Sequence, residues 1–211
     1  MKLTILDYGA GNVESVFNAL KTVSSNNSIE IVVSNKVSDL KSSSYFLLPG
    51  VGAFGDCMQG LRNIEGFVLE LRNQVLKFKK PFLAICVGMQ VLASVGFENG
   101  EHQGLNFING RVEKIIEPHL KVPHMGWNNL IIKNNKHPIL KNIHNGTDFY
   151  FANSFHFTCQ NENNLLAHVE YGNTKITAVV AKDNIIGAQF HPEKSGEIGL
   201  QFLNNFLNWR P

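Results

Sequence analysis

The sequence predicts an α/β protein: one domain over residues 1–211, with a mixed, mostly parallel sheet flanked by helices and lengthened by antiparallel strands. Three observations predict it. Short apolar runs alternate with helical periods through the first hundred residues, the pattern of βαβ units. Beyond Gly100 strand-like runs dominate. No repeat, low-complexity linker or composition break separates the two textures.

In chain order, "KLTILDY" (Lys2 to Tyr8) reads as a strand stopped by Gly9. "GNVESVFNALKTV" follows as an amphipathic helix with Val13, Val16, Phe17 and Leu20 on one face. "IEIVVS" and "SYFLLPG" are the next strands, the second closed by Pro49-Gly50. A helical stretch is expected from about Asp56 to Lys79, then a buried strand at Phe82 to Ile85. Gly88 to Val95 reads as a helix ended by Gly96. "GRVEKII", "GWNNLIIK", "DFYFANSFHF" and "LLAHVEY" are strand-like, and Lys182-Asp183-Asn184 marks a hairpin turn inside "ITAVVAKDNIIGAQF". The chain closes with an amphipathic helix, for which Ser195 is the expected N-cap.

Composition narrows the function classes. Apolar content of 44% and charged content of 17% suit a globular domain. A net charge of +2, with no basic run longer than "FKK", argues against a nucleic-acid partner. No apolar segment approaches the roughly 18 residues of a membrane span. The start reads directly into a structured pattern rather than a signal peptide. Three scattered cysteines, Cys57, Cys86 and Cys159, make neither a disulfide framework nor a zinc site. A reduced, cytoplasmic protein without metal or cofactor is the expectation.

Cys86 carries the strongest chemical signal. It stands between a buried strand and a helix with almost no loop, the position of a nucleophile elbow, near N–H groups that favour an anion. The plain alternative is a small buried hydrophobe. A nucleophile needs a base, and His191 is the candidate among eight histidines. It ends a strand, and Pro192 holds it extended. Glu193, two residues on, can fix its tautomer and steady the imidazolium. An ordinary His-Pro turn with a solvated Glu is the alternative. An oxyanion hole needs backbone N–H groups able to approach a carbonyl. "PGVGAFGD" (Pro49 to Asp56) has the glycines for it, and the Val87 N–H is the natural second donor. A simple turn or a phosphate loop competes, though no GK[ST] follows. His119 and His124 flank "LKVP" without a metal-ligand pattern, and His156 and His168 fit sheet positions.

Together "PGVGAFGD", "LAICVGMQVL" and "AQFHPEKS" resemble the class I, triad-type glutamine amidotransferases, over essentially the whole chain. "DYGAGNVESV", "VPHMGWN" and "FYFANSF" narrow the resemblance to the glutaminase subunit of imidazole glycerol phosphate synthases. The resemblance implies Cys86, His191 and Glu193 as catalytic triad, and Val51, Gly52 and Val87 as oxyanion hole. It implies Gly50, Gln90, Ser154 and Phe155 as glutamine contacts. Asn12, Trp127 and Lys194 match positions near the interface with a (β/α)8 cyclase subunit. That partner would take the ammonia and make imidazole glycerol phosphate and an aminoimidazole carboxamide ribotide. The family's loop reorients when the partner's site fills, and Gly50 and Gly52 are expected to supply that freedom. Asn153-Ser154-Phe155 departs from the "HSY" usual in the histidine pathway. A paralogous glutaminase feeding amidino-sugar synthesis in a surface-glycan pathway is therefore the alternative. A non-catalytic regulatory subunit and a Cys-His hydrolase stand behind it.

Overall fold

The computed structural model describes residues 1–24 and 29–211. Its strands are β1 (Lys2–Leu6), β2 (Glu30–Ser34), β3 (Tyr45–Leu48), β4 (Phe82–Ile85), β5 (Val95–Gly96), β6 (His102–Gln103) and β7 (Gly110–Lys114). They continue as β8 (His124–Asn129), β9 (Ile131–Ile132), β10 (Asp148–Asn153), β11 (Phe155–Cys159), β12 (Leu165–Tyr171), β13 (Thr174–Lys182) and β14 (Ile185–Ala188). The α-helices are α1 (Val13–Ser24), α2 (Val37–Ser42), α3 (Phe54–Asn63), α4 (Phe67–Arg72), α5 (Val87–Gln90) and α6 (Gly196–Asn208).

An eight-stranded sheet runs in the order β2-β1-β3-β4-β14-β13-β12-β9. Its first five strands are parallel and the rest antiparallel. The mostly parallel sheet with an antiparallel extension is thus present. β3, β4 and β14 are buried along their whole length, as strands covered on both faces must be, which explains their continuous apolar runs. Apart from β9, the strand-like segments between residues 95 and 159 do not join this sheet. They form a pair, β10-β8, and a small sheet, β11-β7-β5-β6. "DFYFANSFHF" is accordingly cut at Ser154, with its two halves in different sheets.

Two helices differ from expectation. The stretch expected from Asp56 to Lys79 is broken at Gly66, whose φ of +71° cannot continue a helix, and ends in a π-turn at Asn73–Lys77. The helix expected over Gly88–Val95 stops at Gln90. The reason is tertiary. The N–H groups of Leu105, Asn106 and Phe107 donate to the carbonyls of Val91, Ala93 and Leu92, and the first of these is the acceptor that Val95 N–H would have needed in the longer helix.

An aromatic stack fixes the far end of β14. Phe190 stacks on Phe149 at 4.0 Å between centroids and meets Phe202 of α6 edge-on at 5.1 Å. All three rings are fully buried. This ties β10, the end of β14 and α6 into one body at the point where the chain turns toward His191.

Candidate active site

β4 and β14 are parallel neighbours, with Ile85 opposite Ala188. Cys86 therefore leaves the sheet beside Gln189, and its N–H donates to Ala188 O at 2.7 Å. His191 stands two residues further along the same edge. Functional groups of parallel sheets gather beyond such strand ends.

Cys86 has φ +55° and ψ −116° and is 3% exposed. A non-glycine residue in that region is strained and must be held by its surroundings. Two glycines do the holding. A Cβ on Gly88 would lie 2.3 Å from Leu48 O, and one on Gly50 would lie 2.2 Å from Gly88 N. Only bare backbone lets the end of β3 and the start of α5 approach this closely. Behind the cysteine, Tyr8 donates to Pro49 O at 2.9 Å. Burial raises the Tyr8 hydroxyl well above its ordinary pKa and pushes the Cys57 thiol up to about 12, so both remain protonated.

His191 is 3% exposed and extended, at φ −98° and ψ 95°. Its Nδ1 lies 2.9 Å from Glu193 Oε1. Burial alone would lower its pKa; hydrogen bonds and charge from Cys86 and Glu193 outweigh burial and raise it to about 9. Its N–H donates to Tyr150 O at 2.9 Å. Ser195, expected to cap α6, makes no cap bond. Its Oγ instead donates to His191 O at 2.7 Å and accepts from Tyr150 N at 3.0 Å. The serine is spent on locking the histidine's turn rather than on the helix.

One cleft of about 360 Å³ collects most of the candidates: Val51, Gly52, Cys86, Val87, Gln90, Ser154, Phe155, His191 and Lys194 line it. Glu193 lies behind His191. Gly50 lies outside the lining; it is buried against Gly88, so it serves close approach rather than contact with a ligand. Gly52, at φ +89° with open space around its Cα, retains the freedom expected of it. Asn12 and Trp127 also lie outside the lining. Asn12 accepts from Val16 N at the start of α1, which packs on the Pro192–Lys194 turn. Trp127, 58% exposed, meets Tyr150 edge-on, and Lys194 Nζ sits over the same Tyr150 ring. Trp127, Lys194 and Met125 thus form the rim of the cleft.

Sequence reasoning missed Glu98 and Gln189, and named Asn153 only as a departure from the family pattern. Glu98 lines the cleft from the β5–β6 turn and accepts from Phe54 N at 2.9 Å, a cap supplied across the chain with no local signature. Asn153 lines it too, donating to Phe155 O at 2.9 Å. Gln189, fully buried, touches the thiol. Gln90 gives its Nε2 to Phe155 O at 2.9 Å and to Gln189 Oε1 at 3.1 Å, leaving its Oε1 as the end that can meet a ligand. No His/Cys/Asp/Glu cluster among the described residues could hold a metal, and no helix among them is long and apolar enough to cross a membrane.

A thiol on an elbow, an imidazole backed by a carboxylate and a small cleft lined by loop backbone define an enzyme of the thiol acyl-transfer class. A family model, glutamine amidotransferase class-I, matches residues 4–209, and the chain belongs to that family. It is 44% identical to the imidazole glycerol phosphate synthase subunit HisH of Rhodospirillum rubrum, covering 100% of both chains. It is 45% identical to the subunit of the same name from Zymomonas mobilis, over 99% of this chain and 96% of that one. Among solved structures, PurLQS from Thermotoga maritima superposes with a TM-score of 0.69 at 18% identity, over 98% of this chain and 97% of that chain. A crystal structure described as a glutamine amidotransferase does so with 0.71 at 18%, over 97% and 98%. The structural likenesses are likenesses of fold.

Proposed function

We propose that this chain is the glutaminase subunit of an imidazole glycerol phosphate synthase. It releases ammonia from glutamine for a (β/α)8 cyclase partner that forms imidazole glycerol phosphate and the aminoimidazole carboxamide ribotide of histidine biosynthesis. The observation that carries the reading is Cys86 and His191 in one cleft, with Glu193 behind the histidine, in a chain that matches HisH subunits end to end.

Cys86 Sγ attacks the side-chain amide carbon of glutamine, and His191 holds the proton that the thiol gives up. Glu193 accepts from Nδ1–H, so the thiol's proton is held on Nε2, the ring nitrogen facing the reaction. Negative charge on the former carbonyl oxygen falls to backbone N–H groups of Val51 and Gly52 and to that of Val87, first residue of α5, whose leading N–H groups have no acceptor within the helix. Collapse of the intermediate breaks the C–N bond. The proton on His191 leaves with ammonia, and a glutamyl thioester remains on Cys86. Water, deprotonated by His191, attacks the thioester and releases glutamate and the thiol. Glu98 is the carboxylate in the cleft lining and suits the substrate's α-ammonium, while Gln90 Oε1 accepts a substrate N–H.

The rim of Met125, Trp127 and Lys194 offers the apolar, aromatic and cationic surface on which the cyclase would seat. The full-length relatives favour this partner over the glycan-pathway alternative. The backbone of Asn153-Ser154-Phe155 is held in place: Phe155 O accepts from Gln90 and Asn153, and Ser154 O accepts from Ile115 N.

The test is glutamate release by the purified chain alone, then with the cyclase and its nucleotide substrate. Strong stimulation by cyclase plus nucleotide is expected. Cys86→Ala should abolish glutamine-dependent turnover, by about 10⁴-fold or more, yet leave synthesis from free ammonium salts by the complex. A chain whose Cys86 reacts with glutamine-analogue alkylators but never responds to the cyclase would move the glycan pathway to first place.

A further inference from the structure

Cys86 has a contact that its reaction with glutamine does not by itself call for. Gln189 sits on the extension of β14, fully buried, with its backbone N–H on Ala178 O at 2.8 Å. Its Nε2 is 3.7 Å from Cys86 Sγ, within range for an N–H donor to sulfur, and its Oε1 accepts from Gln90 Nε2.

The direction of this chain is forced. Phe155 O is a backbone carbonyl and can only accept, so the amide end facing it must be the NH₂ of Gln90. The second N–H of that group points at Gln189, which must therefore present its oxygen to Gln90. The NH₂ of Gln189 is left facing the sulfur. One carbonyl of the segment that lines the cleft thus fixes the orientation of two buried amides and delivers a donor to the thiol.

We propose that Gln189 is a fixed hydrogen-bond donor to Cys86 that favours the thiolate over the thiol, aligned through Gln90 by the Phe155 carbonyl. This rests on the reading of Cys86 as the nucleophile. A donor bonded to the charged form stabilises it, and in a water-poor site a neutral amide does so without competing for the His191 proton. The titrating or charged groups around the sulfur are Tyr8 from the end of β1, Cys57 from α3, and His191 and Glu193 from the turn after β14. Glu98 and Lys194 stand across the cleft. Gln189, which neither titrates nor carries charge, donates to Sγ from among them. It also couples the two walls: a shift of Phe155 O would turn both amides and withdraw the donor.

The test is the pH dependence of Cys86 alkylation by iodoacetamide in the full chain, read by mass spectrometry on the peptide carrying Cys86. Gln189→Met keeps the volume and removes the donor. The expected result is a rate at neutral pH about tenfold lower, with the midpoint of the profile about one pH unit higher. An unchanged profile in a folded Gln189→Met protein overturns the proposal. Should that variant not fold, the unsubstituted protein decides through the side-chain amide resonances of Gln189. They must move with the same midpoint as Cys86 alkylation; resonances that ignore Cys86 overturn the proposal equally. Glutamine enters neither measurement, so a failure to hydrolyse glutamine would count against the proposed function and leave this result to be read separately.

Discussion

Cys86 and His191 stand at the ends of neighbouring parallel strands, yet the backbone beneath them differs in kind. Cys86 occupies φ +55°, ψ −116°, a conformation its own chemistry disfavours, while His191 rests in ordinary extended geometry. The cysteine is held by steric fit: Gly50 and Gly88 let the end of β3 and the start of α5 interlock at distances no side chain permits. The histidine is held by polar bonds to Glu193, Tyr150 and Ser195, over a packed aromatic stack. A strained nucleophile needs walls that cannot move. A base that changes charge in each cycle needs partners that answer charge. The two sides of the cleft should therefore fail under different insults, one to volume and the other to pH.

The largest effect should come from volume on the cysteine's side. Gly88→Ala places a methyl carbon 2.3 Å from Leu48 O, a backbone atom that cannot swing away. We expect a loss of about 4 kcal/mol or more, at the upper end of what single substitutions do, measured as a fall in the urea midpoint. A loss below about 1 kcal/mol would mean that the elbow yields, and the comparison between fitted and hydrogen-bonded sides would collapse.

The next effect belongs to the histidine's side and depends on pH. The His191 pKa of about 9 lies above the ordinary 6.5, so the native state binds its proton more tightly than the unfolded chain. That stabilisation is complete below pH 6.5 and disappears as pH rises through 9. At its fullest it is worth about 3 kcal/mol. His191→Gln should accordingly cost more at pH 6 than at pH 10, by about that amount, in paired denaturation curves. His124 supplies the opposite sign within the same molecule. It is buried between Phe151 and Tyr171, and burial lowers its pKa to about 4, so it costs stability as pH falls from 6.5 toward 4. A wild-type stability curve should bend down on both sides, and His191→Gln should flatten only the alkaline limb.

The sequence exposed these two sides unequally, for physical reasons. The elbow was legible because a strand, a cysteine and a helix start follow one another without a loop, and the glycines of "PGVG" announced tight backbone. His191 and Glu193 were legible because a proline fixes them at a strand end. What stayed hidden acts across long stretches of chain. Gln189 reads as one more residue in an apolar strand; only the adjacency of β4 and β14 brings its amide to the sulfur. Glu98 caps α3 from 44 residues away, and Ser195 gave up an expected local cap for bonds to Tyr150 and His191. The helix after Cys86 read too long because its carbonyls are claimed by a loop whose pairing no local pattern encodes. Local signals found the groups that react; the groups that hold them became visible only with the sheet order.

The smallest effect should come from Gly52, and it sharpens the comparison within a single loop. Gly50 and Gly52 are alike in sequence, yet a Cβ on Gly50 meets backbone at 2.2 Å while one on Gly52 meets nothing within 4 Å. What Gly52 would lose is conformation alone, since its φ of +89° is poorly open to other residues. Gly52→Ala should cost about 1–2 kcal/mol of stability from strain, with no collision to add to it. Any rotation of the loop that positions the Val51 and Gly52 N–H groups would be restricted. The folded protein should then lose more of its cyclase-stimulated glutaminase rate than of its unstimulated rate, in assays run side by side. A Gly52→Ala protein as responsive as wild type would place the loop's freedom elsewhere. Gly50 is too tightly wedged against Gly88 to supply it, so the cleft would then have to work with its loop already in the productive conformation.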